Sequence, residues 1–138
     1  MTRLFSIIFL LSSIIALPAN AQSKAPKDVY LAYNAALETA KSFDDITPYL
    51  VKESVDGLAA MSEKDKTENF GLLKIFGTGK TGVKILKETI DGDNATVIAE
   101  FCSQDGNKGK VTTPMKLEEG SWKMAKSNST TSLEKCDG

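Results

Sequence analysis

The sequence predicts an α+β fold in which N-terminal helices lie on an antiparallel four-stranded meander, and three observations predict it. From Val83 to Lys126, apolar residues recur with a period of two in four consecutive stretches. Short breaks rich in Gly, Asp and Asn separate those stretches. From Pro26 to Gly77 the apolar spacing is that of helices, and helices followed by strands is an α+β order, with one sheet face for the helices to cover.

The second stretch, Asn94 to Cys102, is the cleanest, with Ala95, Val97, Ala99 and Phe101 on one face and Thr96, Glu100 and Cys102 on the other; only Ile98 breaks the alternation. Lys110 to Glu118 repeats it, turning Val111, Met115 and Leu117 inward and Lys110, Thr112, Lys116 and Glu118 outward. Pro114 falls on the outward set and predicts an edge position or a bulge, since proline cannot donate to a ladder. Ser121 to Lys126 turns Trp122 and Met124 inward and Lys123 outward. Val83 to Ile90 alternates less cleanly, with Val83 and Ile85 on one side and Leu86 and Ile90 on the other. Asp91-Gly92-Asp93-Asn94, Asp105-Gly106-Asn107 and Glu119-Gly120 supply the residues hairpins need at positive φ, so successive strands should pair antiparallel.

Pro26 suits a first helical position, and Val29, Tyr33, Ala36, Leu37 and Ala40 follow at helical spacing down to Lys41, with Tyr30 flanking the stripe. Thr47-Pro48 predicts the opening of a second helix through Leu50, Val51 and Val55 to about Met61, with Gly57 weakening its end. Ser62-Glu63-Lys64-Asp65 resembles a capping box for a third helix, whose stripe is Phe70, Leu73 and Phe76 and whose stop is Gly77.

Before these helices, Met1-Thr2-Arg3 is cationic, Leu4 to Leu17 is apolar, and Ala19-Asn20-Ala21 is a small-x-small cleavage site, the signature of a secretory signal peptide over residues 1–21. The expected domain is residues 22–126, followed by a tail over residues 127–138. Arg3 is the only arginine, so removing it from a whole-chain charge of -1 leaves a mature chain near -2. That balance excludes the basic surplus of a nucleic-acid protein, and no second apolar segment predicts a membrane partner after cleavage. Export, most simply to a periplasm, lets the two cysteines, Cys102 and Cys136, form one disulfide that pins the tail to the sheet. Closing that loop should stabilise the fold by about 3 to 4 kcal/mol.

In its order of a long helix, two shorter ones and a curved four-stranded meander, the chain resembles the nuclear-transport-factor-2-like superfamily, the cystatin-like α+β cone, and within it the small secreted lumazine-binding-like domains of bacterial envelope proteins. Gly92-Asp93-Asn94-Ala95-Thr96-Val97 matches the hairpin-into-strand pattern, and Leu117 to Met124, with Gly120 and Trp122-Lys123, matches the final glycine-turn-Trp-Lys strand. The resemblance spans most of Ala25 to Lys126. It implies a cone-like fold and an exported habit; the superfamily hosts enzymes and binders alike.

The chemistry is narrowed further by what is missing. The chain has no histidine, which removes Ser-His-Asp and Cys-His nucleophiles and nearly all catalytic zinc sites, so no metal or cofactor is expected. Gly77-Thr78-Gly79-Lys80-Thr81 ends like a phosphate loop, but Lys74 stands where the pattern needs glycine, and a helix precedes where a strand should. The acid pairs Asp44/Asp45, Asp91/Asp93 and Glu118/Glu119 sit at turns, without the burial that separates acid from base roles. Asp91 to Asn94 falls short of a calcium loop. Asn94 and Asn128 match the N-glycosylation pattern, which matters only in a eukaryotic host.

The resemblance leaves one enzyme alternative, an isomerase- or dehydratase-type cone using Tyr30, Tyr33 or Tyr49 with a buried carboxylate, though Glu100 alternates outward and Glu88 is ambiguous. The reading favoured here is a non-enzymatic binding domain of the bacterial envelope. Tyr33, Phe70, Phe76, Phe101, Met115, Trp122 and Met124 would line the space between helices and sheet and either hold a small apolar ligand or fill the core. Lys110, Thr112, Lys116 and Lys123 would form an open face for an envelope protein, as in an inhibitor or immunity role, or for a second copy in a homodimer.

Overall fold

A computed structural model describes residues 24–137. The expected signal peptide lies outside the described residues. Helix α1 spans Pro26–Thr39, 3₁₀ turns follow at Phe43–Asp45 and Thr47–Tyr49, and helices α2 (Lys52–Ala59) and α3 (Glu63–Gly77) lead into strands β1 (Thr81–Asp91), β2 (Asn94–Cys102), β3 (Asn107–Glu118), β4 (Ser121–Met124) and β5 (Asn128–Lys135). All strand pairings are antiparallel in the order β1-β2-β3-β4, with β5 also on β3.

The expected four strands are therefore five, and the tail read as merely pinned is itself a strand. β4 and β5 form one continuous border of β3: Met115 faces Met124 and Thr112 faces Asn128, so Thr113 and Pro114 oppose Ala125, Lys126 and Ser127. That extra residue is a β-bulge. It also accounts for Pro114, which does not sit on an edge strand, because β3 is paired on both sides. The Pro114 carbonyl accepts from Ala125 N at 2.9 Å, so its ring nitrogen faces the same border, at the bulge where the ladder is interrupted. Thr113, fully buried, is satisfied there by the Ser127 hydroxyl at 2.9 Å.

The turns follow from the residues supplied. Gly92 has φ 58° in the two-residue β1–β2 hairpin, and Glu119 (φ 50°) and Gly120 (φ 77°) give the β3–β4 hairpin the paired positive φ of a type I′ turn. β1 departs from its expected faces because of a bulge between Ile85 and Lys87: Ile85 faces Ala99, Glu88 faces Val97 and Ile90 faces Ala95. Ile90 therefore shares the face of Ile85 and not that of Leu86.

The core lies between α1 and the inward face of the sheet, with Val29 and Tyr30 against Val97, Ala99, Phe101, Met115, Trp122 and Met124. A smaller cluster of Leu37, Ala40 and Ile46 joins α1 to α3 through Leu73 and Phe70. Tyr30, expected at the margin of the α1 stripe, is 2% exposed, because α1 packs on the sheet and on α3 at once. The second helix is interrupted after Tyr49: Leu50 bridges to Met124 and Val51 N donates to Met124 O at 3.0 Å, so this segment borders β4 before α2 begins.

Three charged side chains hold helix ends that the local sequence leaves open. Glu88 Oε2 accepts from Lys27 N at 2.7 Å at the start of α1, and Glu118 Oε2 accepts from Lys52 N at 2.9 Å at the start of α2; neither helix has a side-chain cap of its own. At the far end of α1, Lys74 Nζ donates to the Leu37 and Glu38 carbonyls at 2.8 and 2.9 Å. Acid at the N-terminus and base at the C-terminus complement the α1 dipole. α3 caps itself as expected, Ser62 accepting from Asp65 N.

Candidate functional site

A cleft of about 600 Å³ opens between the three helices and the β3–β4–β5 border. α1 contributes Tyr30, Tyr33, Asn34 and Leu37, α2 contributes Ser54 and Leu58, the α2–α3 connection contributes Met61, and α3 contributes Leu73 and Phe76. Val111, Met124, Ser127 and Ser129 form the sheet wall, and the bulge at Ala125–Ser127 shapes it by turning the last strand. Its charged residues are Lys80 and Lys126; no carboxylate lines it among the described residues.

The polar groups of this cleft are unusual. Tyr30 is almost wholly buried and its hydroxyl has no hydrogen-bond partner among the described residues, while the Asn34 amide is committed to the Tyr30 carbonyl at 2.8 Å. Burial raises the Tyr30 pKa above the ordinary phenol value, opposed by the nearby Asn34 amide even though that amide donates to the Tyr30 carbonyl and not to the hydroxyl, and burial raises that of Tyr33, with Tyr30 adding to it. Tyr33 also meets Tyr49 edge to face at 6.2 Å. Burial lowers the Lys80 pKa, with Glu38 opposing, and the ammonium sits 4.9 Å from the centroid of the Phe101 ring.

A second cleft of about 530 Å³ adjoins the first and is lined by Ile75, Thr78, Phe101, Ser103, Gln104, Asp105 and Thr131. Phe76, Lys80 and Ser129 line both.

The seven side chains expected to line one space are divided by the fold. Tyr33, Phe76 and Met124 line the large cleft, and Phe101 lines the second. Met115 and Trp122 lie in the core and border neither cleft. Phe70 turns away to meet Phe43 edge to face at 5.3 Å. Phe76 is 76% exposed, a rim residue where an inward one was expected. Not among the expected lining residues were Leu37, Asn34, Leu58 and above all Lys80; helical spacing points to Leu37 and Leu58, and the one local signal at Lys80 is the Gly79-Lys80-Thr81 run set aside as an incomplete phosphate loop.

Of the acids considered for catalysis, Glu88 faces inward but caps α1, and Glu100 faces outward, 3.9 Å from Lys84. Cys102 and Cys136 are bonded, with Cα atoms 6.0 Å apart, and link the end of β2 to the residue following β5. Asp91 and Asp93 occupy the exposed β1–β2 turn, and no group of three or more metal-ligating side chains is placed to hold a metal among the described residues. Nor, among those residues, is any helix long and apolar enough to cross a membrane. Lys110 and Lys116 are exposed on the outward face, and Lys123 donates from it to the Pro48 carbonyl.

Solved structures share this arrangement of helices on a curved sheet. A candidate NTF2-like transpeptidase from Campylobacter jejuni superposes with a TM-score of 0.52 at 14% identity, covering 73% of this chain and 97% of that one. An NTF2-like protein of unknown function from Shewanella baltica gives 0.54 at 14% identity over 79% and 92% of the two chains, and another from Silicibacter pomeroyi gives 0.53 at 14% over 78% and 93%. The chain has the NTF2-like fold. No family model and no curated protein matches the sequence. At this identity the NTF2-like likeness speaks for architecture, and none of the three structures is described as a lumazine-binding-like domain.

Proposed function

We propose that this NTF2-like domain is a non-enzymatic binding protein that works outside the cytoplasm, in the bacterial envelope, and takes a small, mainly apolar ligand into the large cleft. The observation that carries the reading is the cleft itself: about 600 Å³, walled by Leu37, Leu58, Leu73, Val111 and Met124, with a few polar groups and no carboxylate among the described residues. That is the composition of a ligand pocket, in which apolar walls supply affinity and a few polar atoms orient the guest. The disulfide fits a non-cytoplasmic address.

The isomerase alternative needs a carboxylate beside the tyrosines, and the inward acid Glu88 is engaged at α1. The transpeptidase description belongs to the C. jejuni protein, and at 14% identity that likeness extends to the fold alone.

Native mass spectrometry of the protein purified from an oxidising compartment tests the reading. An added mass of a few hundred daltons that leaves on denaturation is the expected result. A bare chain that also takes up no apolar probe would overturn it and move the working surface to the open face of Lys110, Thr112 and Lys116, where a protein partner or a second copy would dock.

A further inference from the structure

Lys80 stands where the apolar cleft meets the polar one, lining both. Its ammonium is held over the Phe101 ring, and that ring is fixed from beneath, because it packs on Gly109 so closely that a Cβ there would collide with it. No carboxylate lies within 4.0 Å of the ammonium among the described residues. The neighbouring Glu38 has its Oε1 committed to Gly79 N at 3.0 Å, and Asp105, the acid lining the polar cleft, is not paired with Lys80. A partly desolvated cation beside an apolar channel is therefore left without a contact ion pair, and burial lowers its pKa, with Glu38 opposing from a longer range. An anion bound there would recover Coulomb energy in a screened, low-dielectric position, while an attached hydrocarbon chain would bury itself along the apolar wall.

We infer that the ligand is a single-chain amphiphile with an anionic head, its chain lying against Leu37, Leu58, Leu73 and Met124 and its head received by the Lys80 ammonium at the junction of the two clefts. Thr78, Ser103 and Thr131 lie on the head-group side. This rests on the binding reading above and adds the charge and the orientation of the guest.

Dodecanoate and dodecanol, used below their aggregation limits, are the probes, titrated calorimetrically into the full protein and into Lys80→Gln, with Lys110→Gln on the opposite face as the control. The expected result is that dodecanoate binds more tightly than dodecanol by about tenfold to a hundredfold, the worth of a hydrogen bond to a charged group. Lys80→Gln should abolish that preference while dodecanol affinity is retained, and Lys110→Gln should leave it intact. Retained dodecanol affinity also shows that the Lys80→Gln variant is folded. Equal affinities for the two probes, or a preference that survives Lys80→Gln, would overturn the anionic-head inference and leave the apolar cleft standing. Failure of both probes to bind would overturn the binding reading itself.

Discussion

The Tyr30 hydroxyl carries a stability cost that Tyr30→Phe should remove. The ring belongs to the same core cluster as Val29, Val97, Met115 and Trp122, so its apolar burial survives the substitution, and the only atom removed is a hydroxyl with no partner among the described residues. A buried, unsatisfied polar group costs about 1 to 3 kcal/mol. Phenylalanine at this position should therefore raise the stability of the ligand-free protein by about 1 to 2 kcal/mol, roughly 3 to 6 °C in Tm for each kcal/mol in a domain of this size. Urea unfolding followed by Trp122, the only tryptophan and 8% exposed, measures this directly. An unchanged m-value would show that the change lies in stability alone. The hydroxyl has no accessible surface towards the cleft, so affinity for a cleft ligand should be unchanged. A Tyr30→Phe protein less stable by 1 kcal/mol or more in the ligand-free state would refute the reasoning, because it would mean that the hydroxyl has a partner in the fold.

Three further outcomes are expected. Glu88→Ala should cost about 1 kcal/mol by uncapping α1 across 61 residues of sequence, and Glu88→Gln less, since it keeps an acceptor and loses only the charge-to-dipole attraction; chemical denaturation separates the two. Gly109→Ala should displace the Phe101 ring, lowering Tm and weakening the dodecanoate preference together, whereas a Tm change with the preference intact would mean that Phe101 does not position Lys80. The backbone N–H groups of Lys41 and, secondarily, Ser42 hold the Asp45 carboxyl below the ordinary carboxylate range. Its folded pKa is thus depressed, so its contribution is present above the unfolded value, about 3.9, and fades as pH falls through the folded one. Asp45→Asn should flatten the acid limb of a stability-versus-pH curve and leave the alkaline limb unchanged.

How much of this was legible follows from the range over which each cause acts. Pro26 at a helix start, Ser62 as a cap, the Glu119-Gly120 turn and the alternation from Asn94 to Cys102 are decided within a few residues, and each stands as expected. β5 was illegible because Asn128–Lys135 carries no alternating apolar face; all eight of its residues are exposed, and it is a strand because β3 offers a free border and the disulfide holds its end. The same holds for the second helix, interrupted at Val51 because Met124 offers a carbonyl there. Glu88, Glu118 and Lys74 read as ordinary surface charges until the fold carries them to the open ends of α1 and α2.

The candidate site divides along the same line. Aromatic and methionine positions announced that an apolar space would exist, but whether a side chain fills the core, as Met115 and Trp122 do, or lines a cleft, as Tyr33 and Met124 do, depends on where three helices come to rest. By itself the sequence determined α1, α3 and the first four strands, the α+β order, the hairpin connections and the cysteine pair, since turn chemistry and hydrophobic periodicity are local. Only the tertiary structure decided the bulged border that β4 and β5 form on β3, the caps contributed from distant residues, and the burial of the Tyr30 hydroxyl and of the Lys80 ammonium without a contact partner among the described residues, because burial and pairing depend on what the rest of the chain places around a group.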